Sequence, residues 1–235
     1  MSRAEERTLP PPPRVRRVLR EAVGDLYYNS WRFLGANMLL GLMLIVIVLA
    51  AVGSAWALVL LPLAAVPAAG MMRMAAVLVR HGHADFSDVT DLIRRPWVAL
   101  SIGTAQMLVA LMLMVDMQLG AAIGSTVGLL LMITALYGLL IGWAYAAVAW
   151  PLLMDPERDG DPIAARLRLA ALVLIAHPIR VGGFLLLVGV VLAASAVAIA
   201  PFLTFSVALA WLVIARFVLP VADRIEGRRT LPVER

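Results

Sequence analysis

Cysteine and lysine are both missing from this chain. Without cysteine there is no disulfide framework, no thiolate zinc site and no cysteine nucleophile. Without lysine, all twenty basic residues are Arg, an absence that reflects coding composition rather than chemistry. Charge of either sign is scarce. Only 15% of the chain is charged, 63% is hydrophobic, and the mean hydropathy is +0.93. A soluble domain of 235 residues could not cover that much apolar surface, so lipid must form part of its solvent.

The arginines fall in or beside four stretches: the N-terminal tail, residues 73–95, residues 158–180 and the C-terminal end. Between them the blocks 33–72, 97–153 and 181–215 contain no Arg. Basic residues flanking membrane segments stay on the cytoplasmic side. If each block is a pair of helices crossing out and back, every Arg faces the cytoplasm. The pI near 10.6 is then explained by orientation and by anionic headgroups at the inner face, and nucleic acid is not a partner. Ala55-Trp56-Ala57 has the A-x-A form of a signal-peptidase site. The charged region before it and the apolar run are both too long for a cleaved signal, so the run is a retained first span.

Spans need about twenty apolar residues, and the sequence supplies six: 33–52, 55–79, 97–117, 120–150, 179–199 and 202–221. Outer turns fall at Gly53-Ser54, Asp116 to Leu119 and Pro201. Residues 1–13, ending in four prolines, form a disordered cytoplasmic tail, and 223–235 form a second. The membrane domain is 14–222. In 14–29, Val15, Val18, Leu19, Ala22 and Leu26, with Val23 at the margin, share a face, while Arg16, Arg17, Arg20, Glu21 and Asp25 lie mostly opposite. With Tyr27, Tyr28 and Trp31 following, this segment is expected to lie along the inner membrane surface. A second moderately amphipathic helix covers 162–176. The expected fold is therefore all-α: a polytopic bundle of six transmembrane helices with amphipathic helices on the cytoplasmic side. Its order suggests a three-fold repeat of surface helix, outgoing span, outer turn and returning span, with Pro67, Pro151 and Pro220 on the returning spans.

Candidates for chemistry are few. Asp155, Glu157 and Asp159 before Gly160 mimic the start of a calcium loop, but the closing acid position is Arg166. A solvated acidic turn balancing nearby Arg is the better account. His81, His83 and Asp85 are weak candidates for a metal site, and helix capping explains the acids as well. Arg73 and Arg216 stand inside the inner ends of spans, where charge is costly. Either they hold an anionic or hydroxyl-rich ligand, with Asn37 and Gln106 as further polar contacts, or they snorkel to headgroups. Gly120, Gly124 and Gly128, then Gly138 and Gly142, recur every four residues. Small residues so spaced allow close helix approach, and they make the fourth span a central packing helix. No Ser-His-Asp set, HExxH, paired intramembrane carboxylates or Walker A motif is present. An enzyme is not expected, nor a cofactor.

Tyr28-Asn29-Ser30-Trp31, Pro67-Ala68-Ala69 leading into Met71-Met72-Arg73, Asp85-Phe86 before Trp97, and His177-Pro178 give the chain a layout that resembles the YesL family of bacterial multi-pass membrane proteins. The resemblance covers most of residues 20–222. It implies a bacterial inner membrane and an association with carbohydrate uptake, with a sugar transporter as partner, and it carries over no catalytic residue. Two functions are expected as alternatives. One is a non-enzymatic accessory or scaffold of a membrane complex. The other is a small transporter with a cytoplasm-facing pocket near Pro67, Arg73 and Arg216.

Overall fold

The computed structural model describes residues 15–94, 96–198 and 205–227. The expected N-terminal tail, the Pro201 turn and the tail after Gly227 lie outside the described residues. Among the described residues every regular element is a helix. In order they are α1 (Val15–Tyr28), α2 (Ser30–Gly53), a 3₁₀ stretch (Ala55–Ala64) running into α3 (Ala65–His81), α4 (Ser87–Arg94), α5 (Trp97–Ile123), α6 (Thr126–Leu153), a 3₁₀ turn (Pro156–Arg158), α7 (Ile163–Ala176), α8 (Pro178–Ala198) and α9 (Val207–Glu226).

Among the described residues five helical stretches are long and apolar enough to cross a membrane: Ser30–Gly53, Trp56–His81, Trp97–Ile123, Thr126–Leu153 and Pro178–Ser195. The sixth expected span corresponds to α9. It differs in carrying Arg216, Asp223, Arg224 and Glu226. Asp223 and Glu226 belong to this helix rather than to a tail.

Two local features depart from the expected boundaries for clear reasons. Pro62 lacks the N–H that an α-helix needs, and the chain winds as a 3₁₀ helix around it. Pro67 then falls in the first turn of α3, where N–H groups have no partner anyway. The second difference is at the far end. The chain continues helically through Asp116 and Gln118 and reverses at Gly124-Ser125 instead. Gly124 has φ +62, a left-handed conformation that favours glycine, and Ser125 caps α6 by accepting from the Gly128 N–H.

The core gathers around three helices that pack on one another, α3, α6 and α9. Burial in α3 covers Met71, Met72, Met74 and Leu78, and in α9 it covers Leu212, Phe217 and Leu219 among others. In α6, apart from Gly128 and Ala135, it is confined to Ala147–Leu153. The deepest helices are therefore α3 and α9, and α6 joins them at one end only. Phe184 of α8 rests on Phe217, ring centroids 4.4 Å apart. Where lipid surrounds such a bundle, apolar contact gains nothing from leaving water, so close packing and polar pairing must hold the helices together. The polar pairing is concentrated at the arginine-rich end.

Candidate functional site

At that end α3 presents Arg73 and Arg80, seven residues and so nearly two full turns apart on one face. Facing them is the 155–159 turn between α6 and α7. Asp155 opens it by accepting from the Glu157 N–H, which fixes its backbone and places Arg158 three residues on. The third contributor is α9, with Asp223 and Glu226 in its last turn.

These side chains close into a ring of alternating charge. The Arg80 Nε and Nη2 donate to the two oxygens of Asp155 at 3.1 and 2.5 Å. Its Nη1 and Nη2 also donate to Asp223, at 2.5 and 3.0 Å. Arg158 completes the ring, donating from Nη1 to Asp155 and from Nη2 to Asp223 at 2.7 Å. The same Nη2 reaches Glu226 at 2.7 Å. Side-chain exposure is 9% for Arg80, 0% for Arg158, 0% for Asp155 and 2% for Asp223. Two cations and two anions are thus shielded almost completely, and Glu157 and Glu226 sit at the rim. Asp223 shows the balance of forces. Burial pushes its carboxyl up, but hydrogen bonds and charges from Arg80 and Arg158 outweigh burial and hold it below the usual carboxylate range.

Within the acidic turn Asp155 is therefore the buried centre of an ionic core, whereas Glu157 and Asp159 stay 48% and 53% exposed and balance Arg80 and Arg73, as expected of a solvated turn. Desolvating four charges costs several kcal/mol per ion, by order of magnitude, and only good geometry with near-complete hydrogen bonding offsets it. The ring meets that condition except at the Arg158 Nε, which has no hydrogen-bond partner among the described residues.

Two further pairs flank the ring. Arg73 forms a two-pronged pair with Asp159, Nη1 to Oδ1 at 2.6 Å and Nη2 to Oδ2 at 2.5 Å, and Nη1 also meets the Met154 carbonyl at 3.4 Å. Arg216 on α9 donates from Nε to Asp25 at 2.5 Å and from Nη1 to Glu21 at 2.9 Å. Asp25 is only 1% exposed and shares its buried face of α1 with Val18 and Ala22. This alters the amphipathic reading of α1: one acid points inward at α9, while Val15 and Val23 are exposed. At α2, Arg32 pairs with Asp85 at 3.0 Å.

The remaining expected site residues fall elsewhere. The Trp150 indole N–H donates to Gln106 at 3.0 Å, joining α6 to α5. Asn37 is buried in α2. Among the described residues no group of three metal-ligating side chains gathers. The His81 and His83 rings are 6.4 Å apart and Asp85 is engaged by Arg32. Gly120 and Gly128 do not share a helix face: they oppose each other across the α5–α6 turn, where a Cβ on Gly120 would lie 2.5 Å from the Gly128 carbonyl oxygen. Gly138 abuts Leu113 of α5, and Gly142 has open space beside it. No family model, curated protein or solved structure matches the chain. The likeness to the YesL family therefore rests on its short motifs alone.

Sequence reasoning singled out Arg73 and Arg216, read Asp155 as part of a solvated acidic turn, and missed Arg80, Arg158 and Asp223. A signal was present in the spacing. Arg73 and Arg80 recur at seven residues, as do Arg216 and Asp223, while Asp155 and Asp159, like Glu21 and Asp25, recur at four. Charges repeating on one face beside an apolar helix end mark a face turned toward protein.

Proposed function

We propose that this protein is a non-enzymatic accessory or scaffold component of a membrane complex, crossing the bilayer six times with both termini in the cytoplasm of a bacterial cell. α9 counts as the sixth span because its mid-helix charge, Arg216, is neutralised by Glu21 and Asp25 rather than presented to lipid. The observation that carries the scaffold assignment is the use of the intramembrane cations. The donor forks of Arg73 and Arg216 are held by carboxylates of the chain itself. A transported anion would have to displace Asp159 or the Glu21–Asp25 pair. Such self-pairing suits a rigid platform better than a substrate pocket. The three-fold rhythm of short helix followed by two long ones fits a repeated hairpin unit built around the α3–α6–α9 contact. Carbohydrate uptake, implied by the YesL resemblance, names the first partner class to seek, a sugar transporter.

The test compares the purified wild type with Arg73→Ala and Arg216→Ala in a thermal screen of sugars, sugar phosphates and organic anions, beside affinity purification from native membranes. The scaffold assignment expects no solute to stabilise the wild type selectively, and a membrane partner to co-purify. A solute that raises the wild-type Tm and fails with both variants would instead establish the transporter alternative, since bound ligand stabilises by mass action.

A further inference from the structure

α1 turns one face to the bundle and leaves the other bare. Val18, Ala22 and Asp25 form its buried side, packed on α9. Both of its acids are engaged there: Asp25 by Arg216, and Glu21 by Arg216 and Arg17. Directly opposite, at the spacing of a helical stripe, stand Arg16, Arg20, Val23 and Tyr27, all exposed. Tyr28 and Trp31 carry the exposed strip past the end of the helix. The apolar side expected to meet the membrane is therefore taken up by protein. What α1 offers outward is guanidinium and aromatic ring, with no carboxylate among them.

Trp97, 77% exposed, stands at nearly the same height on the bundle. Arg80 of α3 meets Asp223 of α9, and Arg73 and Arg216 each lie seven residues earlier, so the latter two are level. α5 leaves the arginine-rich end as α3 arrives, and a Cβ on Gly103 would lie 2.5 Å from that of Ala65. Counting six residues back along α5 and six forward along α3 brings Trp97 level with Met71, two residues from Arg73. α1, held by Arg216, shares that level. Tyr and Trp at one height of an apolar bundle match the belt such rings form at a bilayer edge, and the neighbouring arginines match lipid phosphates. An acidic protein surface would account for the arginines but not for the shared height of Trp97. We propose that the outward face of α1, with Trp97, binds the anionic headgroup layer of the inner leaflet, Arg16 and Arg20 on lipid phosphates and the aromatic rings in the glycerol zone. This rests on the membrane placement proposed above and goes beyond it in naming the face and the lipid.

The chain has no cysteine, so Val23→Cys can carry a single fluorophore on the outward face. The full chain is reconstituted in phosphatidylcholine bilayers with or without phosphatidylglycerol. Quenching is compared between a lipid with a nitroxide at its headgroup and a water-soluble nitroxide. The headgroup nitroxide is expected to quench more strongly, and phosphatidylglycerol to increase that quenching. Adding Arg16→Gln/Arg20→Gln should remove more than half of the increase, while Arg168→Gln/Arg180→Gln, an equal charge loss on α7 and α8, should leave it. Stronger quenching from water, protection from both nitroxides as under a second copy of the chain, or an equal phosphatidylglycerol response in the two arginine variants would overturn the proposal. A second label at Ile133→Cys, on the exposed face of α6, separates this failure from that of the parent placement. If that label is quenched by a mid-chain nitroxide lipid while the α1 result fails, only the α1 surface is lost. If lipid quenches neither label, both fall.

Discussion

At the arginine-rich end, Ala147–Leu153 of α6 are buried among α3, α7 and α9, while farther along the same helix Leu129, Leu130, Ile133 and Ile141 are exposed. The contrast runs through the hairpin partner too. Of the most apolar windows, only 6% is buried in α5 and 11% in α6, against 33% in α2 and 39% in the stretch that includes α3. One region is held by protein contacts and a ring of charge, the other by a two-helix seam with the rest of its surface left to lipid. Specificity of structure is therefore concentrated at one end. Changes there should be costly, and changes on the outer hairpin should be costly only along its seam.

The largest effect is expected for Arg158→Ala. Removing it leaves Asp155 and Asp223 short of a partner in a site almost closed to solvent, and breaking a buried pair in this way costs about 3–5 kcal/mol. Equilibrium unfolding in detergent checks this, and a loss under about 1 kcal/mol, the level of an exposed pair, would place the ring in solvent after all. Next comes Gly120→Leu, which drives a side chain into the Gly128 carbonyl and Met132. Overpacking of this kind costs about 1–3 kcal/mol and should loosen the α5–α6 seam, readable as faster proteolysis near Gly124.

Acid should discriminate the two regions as well. The carboxyl of Glu21 is pushed up by burial but held below its usual range by Arg17 and Arg216, which outweigh burial, and Asp223 is likewise held low. Groups with depressed folded values add stability that is complete above the ordinary carboxylate range, near about 4, and lost as pH falls through the lower folded values. Tm is expected to be flat from neutrality to about pH 5 and to drop below about pH 4, with proteolysis entering first at the arginine-rich end. The smallest effect is expected for Leu130→Ala on the exposed face of α6, within about 0.5 kcal/mol as for other substitutions that break no packing. A large loss would show that this face is covered by protein.

The sequence showed the helical class and the places where apolar blocks end, because hydrophobic length and arginine position follow directly from lipid physics. It showed less about the far turn, since Asp116 and Gln118 look like turn residues yet remain in α5, and only Gly124 can supply the left-handed conformation the reversal uses. The ionic core was legible only as spacing. Asp155, Glu157, Arg158 and Asp159 read as a polar loop, and nothing local reveals that Arg80 and Asp223, 75 residues before and 65 after Asp155 and Arg158 respectively, arrive at the same point. Long-range pairing is a property of the packed helices, not of the segment.

The charges of Arg80, Asp155, Arg158 and Asp223 act as one buried unit joining α3, the 155–159 turn and α9. A double-mutant cycle on Arg158→Met and Asp223→Leu tests it most directly. Each single variant should lose about 3–5 kcal/mol, while the double variant, which keeps the two-pronged Arg80–Asp155 pair, should recover most of that loss. Simple addition of the two losses, the behaviour of independent sites, would contradict the account.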